Sequence, residues 1–298
     1  MADLDGIVDQ LTGQLGPVTE APVPLQGGIT NRNYRVRFGA RDYVVRLPGK
    51  DTGLLGIDRE AERLANQAAA RLGIAPAVAA ADEQAIVTEF VICRPVDPGG
   101  LRADPSQVAQ ALRAFHDSGT QLPTPFWVPD LLADYARIVA ARGGSLPAEY
   151  ADTRGLADRV AAALPLVEPV PCHDDLLPAN LLLVDGSRLM LVDWEYAGMG
   201  HRMFDLGNLA VNNEFDEAAE ERLLGAYFDE VPPSRPHRAA LKLMRIMSDA
   251  REAAWGVVQG VISELDFDFA AYAMKHFDRL SASAEDPRLE EWLSAAAA

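Results

Sequence analysis

The chain has 298 residues, 49% of them hydrophobic and 24% charged, with 44 Asp and Glu against 27 Lys and Arg for a formal net charge of −17. This is an ordinary globular mixture, long enough for one large domain or two lobes, and its acidic excess argues against nucleic acid or an anionic membrane as the main partner. Two cysteines far apart in the chain, Cys93 and Cys172, and a start Met1-Ala2-Asp3-Leu4-Asp5 without a basic-then-apolar leader predict a reducing, cytoplasmic setting. No run approaches the ~18 apolar residues of a membrane span.

Residues 3–15 predict a short amphipathic helix, and residues 24–91 a small sheet with one inserted helix. Tyr34, Val36 and Phe38 alternate with Arg35 and Arg37, Gly39-Ala40-Arg41-Asp42 reverses the chain, and Tyr43-Val44-Val45-Arg46-Leu47 returns, which is a β-hairpin pattern. Ile57, Ala61, Leu64, Ala65, Ala68 and Leu72 recur at helical spacing until Gly73, with Pro76 beyond. Two more strands fit 77–80 and 85–90. Pro95, Pro98, Gly99 and Gly100 predict a connection, after which the pattern is helical: one helix with Val108, Ala111, Leu112 and Phe115 on one face, then others near 130–141, 155–164, 216–228, 237–261 and 268–282. Ala295 to Ala298 read as a frayed end.

Chemistry concentrates in His173-Asp174-Asp175-Leu176-Leu177-Pro178-Ala179-Asn180 and in the later Asp193-Trp194-Glu195. Moving a γ-phosphoryl group from ATP needs a carboxylate to orient the acceptor hydroxyl and oxygen ligands for Mg²⁺. His-x-Asp-x-x-x-x-Asn supplies Asp175 and the Asn180 amide oxygen from one loop. Leu181 to Val184, the Asp185-Gly186 turn and Leu189-Met190-Leu191-Val192 then read as a hairpin pushing Asp193 out of its end. Asp and Asn are also common turn residues, so the joint pattern carries the reading rather than His-x-Asp alone. Upstream, Gly27-Gly28 marks either a tight turn or a close approach of backbone amides to phosphate. Arg46, the lone charge between Val45 and Leu47, either snorkels to solvent or aims at phosphate, with Glu62 as natural partner and Glu60 as competitor.

These residues resemble the aminoglycoside phosphotransferase and choline kinase family, whose members have a protein-kinase-like fold, over most of the chain. The resemblance rests on Gly27-Gly28-Ile29-Thr30-Asn31-Arg32-Asn33-Tyr34, on Tyr43 to Gly49, on Ile57-x-Arg59-x-x-Glu62 and on the Asp175 and Asp193 motifs. Val192-Asp193-Trp194-Glu195-Tyr196 and Phe204-Asp205-Leu206-Gly207-Asn208 look like its choline and ethanolamine kinase branch. It implies an α+β, two-lobed architecture: a small antiparallel β-sheet lobe over 1–93 that binds nucleotide, and a mostly helical lobe over 94–298 with the catalytic loop and acceptor site. It further implies that Asp175 orients the substrate hydroxyl, that Asn180 and Asp193 hold Mg²⁺ and that Glu195 adds a second metal contact. Thr30 and Asn31 would cover the phosphates of ATP, Arg46 would meet them, and the backbone from Glu89 to Val91 would receive adenine. Asp205 and His173 are expected to brace the loop, and His116, beside an apolar face, to be structural.

For the acceptor, Trp255-Gly256-Val257-Val258 looks like the segment that builds an aromatic cage for a quaternary ammonium, a contact that contributes roughly 0.5–2 kcal/mol. Val258 stands where that family has a second Trp, which removes a wall of the cage and leaves choline, a smaller amine such as ethanolamine and other amino alcohols open as acceptors. Trp255 reads equally well as a core residue beside Leu241, Met244 and Met247. Asp249, Glu252, Glu264, Asp266 and Asp268 would meet a cationic, hydroxylated small molecule or form a solvated acidic rim. No Gly-x-Gly-x-x-Gly loop and no Ala-Pro-Glu element occur, so a protein substrate is disfavoured. Rival readings are phosphorylation of an aminoglycoside, another antibiotic or a sugar, and, in a different class, a nucleotide-binding regulator without turnover.

Overall fold

The structure, a computed structural model, describes residues 4–25, 31–49, 52–82 and 84–297. Helix α1 (Leu4–Leu15) leads into β1 (Val23–Leu25), β2 (Asn31–Phe38) and β3 (Arg41–Pro48), then α2 (Arg59–Arg71), β4 (Val78–Ala81) and β5 (Ile86–Glu89). The strands form one antiparallel sheet in the order β1-β2-β3-β5-β4. Its hairpin turns at Gly39, whose φ of 56° suits a residue without a Cβ. The register pairs Val36 with Tyr43 and Phe38 with Arg41, so the alternation puts Val36, Phe38, Tyr43, Val45 and Leu47 on one face. That face is closed by Ile7, Val8 and Leu11 of α1, and each fully buried side chain of this kind contributes roughly 1.5–3 kcal/mol.

The chain then runs through β6 (Cys93–Pro95), α3 (Pro98–Ala103), α4 (Ser106–His116), α5 (Val128–Ala141), α6 (Glu149–Ala163), β7 (Val170–Cys172), β8 (Leu181–Val184), β9 (Arg188–Leu191) and β10 (Gly198–Gly200). It ends with α7 (Arg202–Asn212), α8 (Glu217–Phe228), α9 (Arg235–Ile262), α10 (Phe269–Ala284) and α11 (Leu289–Ala296). Two small sheets, β6-β8-β9 and β10-β7, carry the loops of the site. Helix α9 is the hub, packed against α5, α7, α10 and α11. Ser234 caps it, accepting from the His237 amide at 3.3 Å, and Pro236 suits the first turn because its missing N–H costs nothing there.

Helix α2 shares the larger core rather than the sheet's: Ala61, Ala65, Ala68 and Ala69 belong to the cluster that includes Leu112, Leu132 and Leu191. Its start is fixed by Asp58, whose Oδ1 accepts from the Ala61 amide at 2.9 Å, and Gly73 follows its end with φ 75°. Among the described residues no helix is long and apolar enough to cross a membrane.

Several boundaries differ from the sequence reading. Residues 98–100, expected as a connection, open α3, because Asp97 caps them by accepting from the Gly100 amide at 2.6 Å. Helix α6 starts six residues earlier than expected, at Glu149. Ala295 and Ala296, expected to fray, are buried in α11. Strands β7 and β10 have only three residues each, too short for a period to register. Helix α7 is buried almost all round, from Met203 to Val211, and therefore has no polar face to mark it.

Candidate active site

The segment from His173 to Asn180 leaves β7 and enters β8, and α7 grips it. The Asp205 carboxylate accepts from the His173 and Asp174 amides, both at 2.8 Å, and faces His116 Nε2 at 3.0 Å. Burial opposes the charge on Asp205, but the His116 hydrogen bond and its neighbouring donors hold its pKa below the usual value. Asn208 Oδ1 accepts from the Leu176 amide at 2.6 Å, and Asn213 Nδ2 donates to the Leu176 carbonyl at 3.1 Å. His116 Nδ1 meets Tyr227 Oη at 2.6 Å, so this buried histidine braces the loop and is no free base. Nearby Cys172 is also buried, which pushes its thiol pKa up.

The grip forces Asp174 into the left-handed region, at φ 65°, where Asp is tolerated better than most residues. Both its carboxyl oxygens are buried without a hydrogen-bond partner. Burial, then Asp205, pushes its pKa well above the ordinary range. The turn presents Asp175 on the other side. Its Oδ1 accepts from Arg251 Nη1 at 3.2 Å, and its Oδ2 accepts from Asn180 Nδ2, also at 3.2 Å. Burial pushes the Asp175 pKa up to about 8; Arg251 pulls it down, while Glu252, Asp193 and Glu195 raise it. Asn180 Nδ2 also donates to the Asp175 carbonyl at 2.8 Å, so the amide nitrogen is the atom turned toward Asp175 and the amide oxygen is the one that could hold a metal ion.

Asp193 follows β9 with φ 69°, a second strained aspartate. His173 joins the two carboxylate segments: its Nδ1 accepts from the Asp175 amide at 3.3 Å, its Nε2 donates to the Val192 carbonyl at 3.0 Å, and its ring lies 4.4 Å from that of Trp194. Arg46 reaches across from β3, hydrogen-bonds Asp193 and lies 3.2 Å from Glu62 and 3.7 Å from Glu195. Burial works against the Arg46 charge, but Asp193, Glu62 and Glu195 outweigh it and hold its pKa above the ordinary value. Glu62 is thus the partner of Arg46; Glu60 is exposed and pairs with Arg63. Glu62 also accepts from Arg59 at 2.5 Å, and Arg59 donates to Asn31 Oδ1 at 3.3 Å. Asn31 Nδ2 in turn donates to Glu195 Oε2 at 2.7 Å. Asn31 and Glu195 therefore close a buried ionic ring behind Asp193. Thr30, like Gly27 and Gly28, lies outside the described residues.

Between the two layers lies a cavity of about 530 Å³, lined by Arg46, Glu89, Val91, Asn180, Asp193 and their neighbours. That volume suits a nucleotide-sized ligand. Strand pairing takes the amides of Glu89 and Phe90, which donate to Ala77 at 2.8 Å and Asp42 at 3.0 Å. Asn180 and Asp193 line one wall together, and an amide oxygen beside a carboxylate is the hard donor set that Mg²⁺ prefers.

Helices α9 and α10 build an aromatic cluster next to Glu252. Trp255 is only 6% exposed; its Nε1 donates to Tyr196 Oη at 2.8 Å, and its ring stands edge-on to Phe269 and Tyr272 at 5.8 and 5.4 Å. The core reading of Trp255 holds, since it is buried among these rings and belongs to the main hydrophobic cluster. Val258 is fully buried. The expected acidic rim is partly wrong: Asp249 and Glu252 are buried, because His276 pairs with Asp249 at 2.8 Å and Arg251 with Glu252. Tyr272 Oη donates to the other Glu252 oxygen at 2.5 Å.

Sequence reasoning missed Arg251, whose guanidinium lies over the Tyr196 ring at 4.2 Å. The signal was present, because Arg251-Glu252 are adjacent charges flanked by Ala250 and by Ala253-Ala254 in a stretch of α9 that is buried on every side. Arg59 and Tyr272 were also given no role.

A kinase-type loop, facing a nucleotide-sized cleft between an antiparallel sheet and a helical part, defines a phosphotransferase of protein-kinase-like fold. The chain belongs to the phosphotransferase enzyme family (APH), which matches residues 22–244. It is similar to a choline/ethanolamine kinase family protein from Mesorhizobium loti of known structure, with 31% identity, TM-score 0.81 and 98% of both chains covered. It is 26% identical to protein LicA of Haemophilus influenzae over 85% of this chain and 76% of that one. The structure of choline kinase LicA from Streptococcus pneumoniae shares the fold, with 24% identity, TM-score 0.78 and 94% of this chain and 97% of that one covered. Within its family the chain is a choline/ethanolamine kinase-like phosphotransferase.

Proposed function

We propose that this protein is an ATP- and Mg²⁺-dependent cytoplasmic kinase that phosphorylates the hydroxyl of a small amino alcohol. The observation that carries this reading is the meeting of Asp175, Asn180 and Asp193 at a nucleotide-sized cleft, with Asn180 and Asp193 on its wall and Asp175 bonded to Asn180. The activities named for the relatives, choline and ethanolamine kinases, support the same acceptor class.

In this reading Asp175 orients the acceptor hydroxyl and takes its proton. Asn180 and Asp193 hold Mg²⁺, Glu195 adds to its field, and the ion when bound neutralises charge on the phosphate oxygens. Glu62 positions Arg46 on the wall of the cleft to meet the phosphates, Asn31 steadies Glu195 and Arg59 behind it, and the backbone from Glu89 to Val91 receives adenine. Trp255 and Tyr272 supply aromatic faces for the amine, and Glu252 supplies its countercharge. Val258, in place of a second indole, leaves less aromatic wall and favours an amine smaller than a quaternary ammonium.

Acceptor-dependent ADP release tests this reading, with amino alcohols, aminoglycosides and sugars offered in parallel. Selective turnover of an amino alcohol, abolished by Asp175→Ala, is expected. Turnover confined to aminoglycosides or sugars overturns the acceptor class, and tight ATP binding without any product overturns the enzyme.

A further inference from the structure

Asn66, on α2 about one turn beyond Glu62, is 6% exposed and lines the nucleotide-sized cleft. Its Nδ2 donates to the Glu62 carbonyl at 3.1 Å. A carbonyl can only accept, so this bond fixes which way the amide lies and leaves Oδ1 as an acceptor. Among the described residues Oδ1 has no hydrogen-bond partner. Arg46 Nε and Glu62 Oε1 are sealed away from all space, whereas Asn66 Oδ1 opens to the cleft. A nucleotide that fills the cleft takes water away from that oxygen, and the loss is costly unless the nucleotide donates a hydrogen to it.

Sheet alternation says which part of a nucleotide comes there. Arg46 and Val44 of β3 pair with Ile86 and Thr88 of β5, and all four line the cleft. Tyr43, Val45 and Val87 point the other way, into the core under α1. Arg46, beside Asp193, marks the phosphate end. Thr88 lies two residues, roughly 6–7 Å, beyond Ile86 and leads into the backbone from Glu89 to Val91 that is assigned to the base. The other wall runs the same way: Glu62 pairs with Arg46, and the chain leaving α2 reaches the base end, where Pro76 lines the cleft and the Ala77 carbonyl accepts from the Glu89 amide at 2.8 Å. Asn66 stands between these ends, on the base side of Arg46.

An adenine that meets the backbone from Glu89 to Val91 through N1 and one hydrogen of its 6-amino group keeps the other amino hydrogen, on its N7 side, for the wall of the cleft. Guanine and hypoxanthine carry an acceptor oxygen at that position. The Thr88 hydroxyl both donates and accepts, so it does not distinguish the two kinds of base; Asn66 Oδ1 only accepts. We propose that Asn66 is a specificity-determining residue for the phosphoryl donor, whose Oδ1 takes the second 6-amino hydrogen and so selects 6-aminopurine over 6-oxopurine nucleoside triphosphates. This inference rests on the kinase reading above.

The test measures kcat/KM for ATP, inosine triphosphate and purine riboside triphosphate, which has no 6-substituent, with the best acceptor of the panel above. Wild type is compared with Asn66→Leu and with Gln67→Leu, a control on the same helix but off the cleft. Wild type is expected to prefer ATP to both analogues. Asn66→Leu should lose ~10-fold of that preference while using purine riboside triphosphate within ~3-fold of wild type, because that analogue never made the contact. Gln67→Leu should keep the wild-type preference. An equal fall for all three nucleotides in Asn66→Leu marks Asn66 as structural and overturns the proposal, as does a wild type that uses inosine triphosphate as well as ATP; either result leaves the kinase reading intact. Wild type that phosphorylates no acceptor from any of the three overturns both. Should Asn66→Leu not fold, wild-type crystals with a non-hydrolysable ATP analogue decide: the 6-amino nitrogen at ~3 Å from Asn66 Oδ1 supports the contact, and a separation beyond ~4 Å refutes it.

Discussion

Glu62→Ala provides the sharpest energetic test of the ionic ring. The Glu62 side chain is 1% exposed and neutralises two guanidinium groups, Arg46 at 14% and Arg59 at 21% exposure. Removing one partner from a buried pair costs about 3–5 kcal/mol, because the charge left behind is uncompensated. Partial access of both arginines to water, and the carboxylates each keeps (Asp193 and Glu195 for Arg46, Glu195 for Arg59), put the expected loss at the low end, about 3 kcal/mol. With ~2.1 cal/mol/K of unfolding entropy per residue, 298 residues give ~0.6 kcal/mol/K, so Tm should fall by about 5 °C. Glu60→Ala, which removes only an exposed partner of Arg63, should leave Tm within the error of the melt. In the same variants, ATP KM should rise ~10-fold for Glu62→Ala, whose Arg46 then collapses onto Asp193 and Glu195, and stay unchanged for Glu60→Ala. Thermal melts and steady-state kinetics read both quantities. Equal Tm losses for the two variants, or a greater loss for Glu60→Ala, would refute the assignment of Glu62 as the buried hub.

Three other variants test separate parts of the account. In Gly207→Ala the new Cβ would lie 2.6 Å from the Met244 backbone carbon, so α7 must shift with Asp205 and Asn208; a stability loss of ~1–3 kcal/mol and a kcat loss of at least ~10-fold are expected, and a wild-type kcat contradicts the loop-bracing role. His201 has its pKa lowered to about 4 by burial, then by Arg202 and His116. The neutral form is therefore the one the fold stabilises: the His201 contribution is complete above about pH 6.5 and is lost as pH falls toward 4, on the order of 1–2 kcal/mol after allowance for partial exposure. His201→Asn keeps the cap on α7 without the titration, so urea midpoints between pH 6.5 and 4 should fall less steeply than in wild type; parallel slopes would exclude His201 as the cause. Trp255→Leu should raise acceptor KM ~5- to 30-fold and leave ATP KM unchanged, and equal effects on both would mark Trp255 as core alone.

Where a local pattern had a physical cause within a few residues, the sequence could be read. Alternation in Tyr34 to Phe38 placed the hairpin because one face is buried, and the loop spacing placed Asp175 and Asn180 together because a short turn leaves few other arrangements. Asp193 followed from an apolar strand ending in a carboxylate. The choice between Glu60 and Glu62 was not legible, since both lie in the first turn of α2 and only the position of β3 across the cleft selects one. Arg251 was read past for the opposite reason: its partners Asp175 and Tyr196 come from distant segments. Helix α7 and strand β7 were hidden by burial and by shortness.

Single-turnover transfer of ³²P from [γ-³²P]ATP to a small amino alcohol, in wild type and in Asp175→Asn at matched nucleotide binding, addresses the central claim most directly. The account predicts a labelled phosphomonoester that forms at least ~10³-fold more slowly in Asp175→Asn, with ADP and Mg²⁺ affinities unchanged. Transfer at the wild-type rate in Asp175→Asn would contradict it.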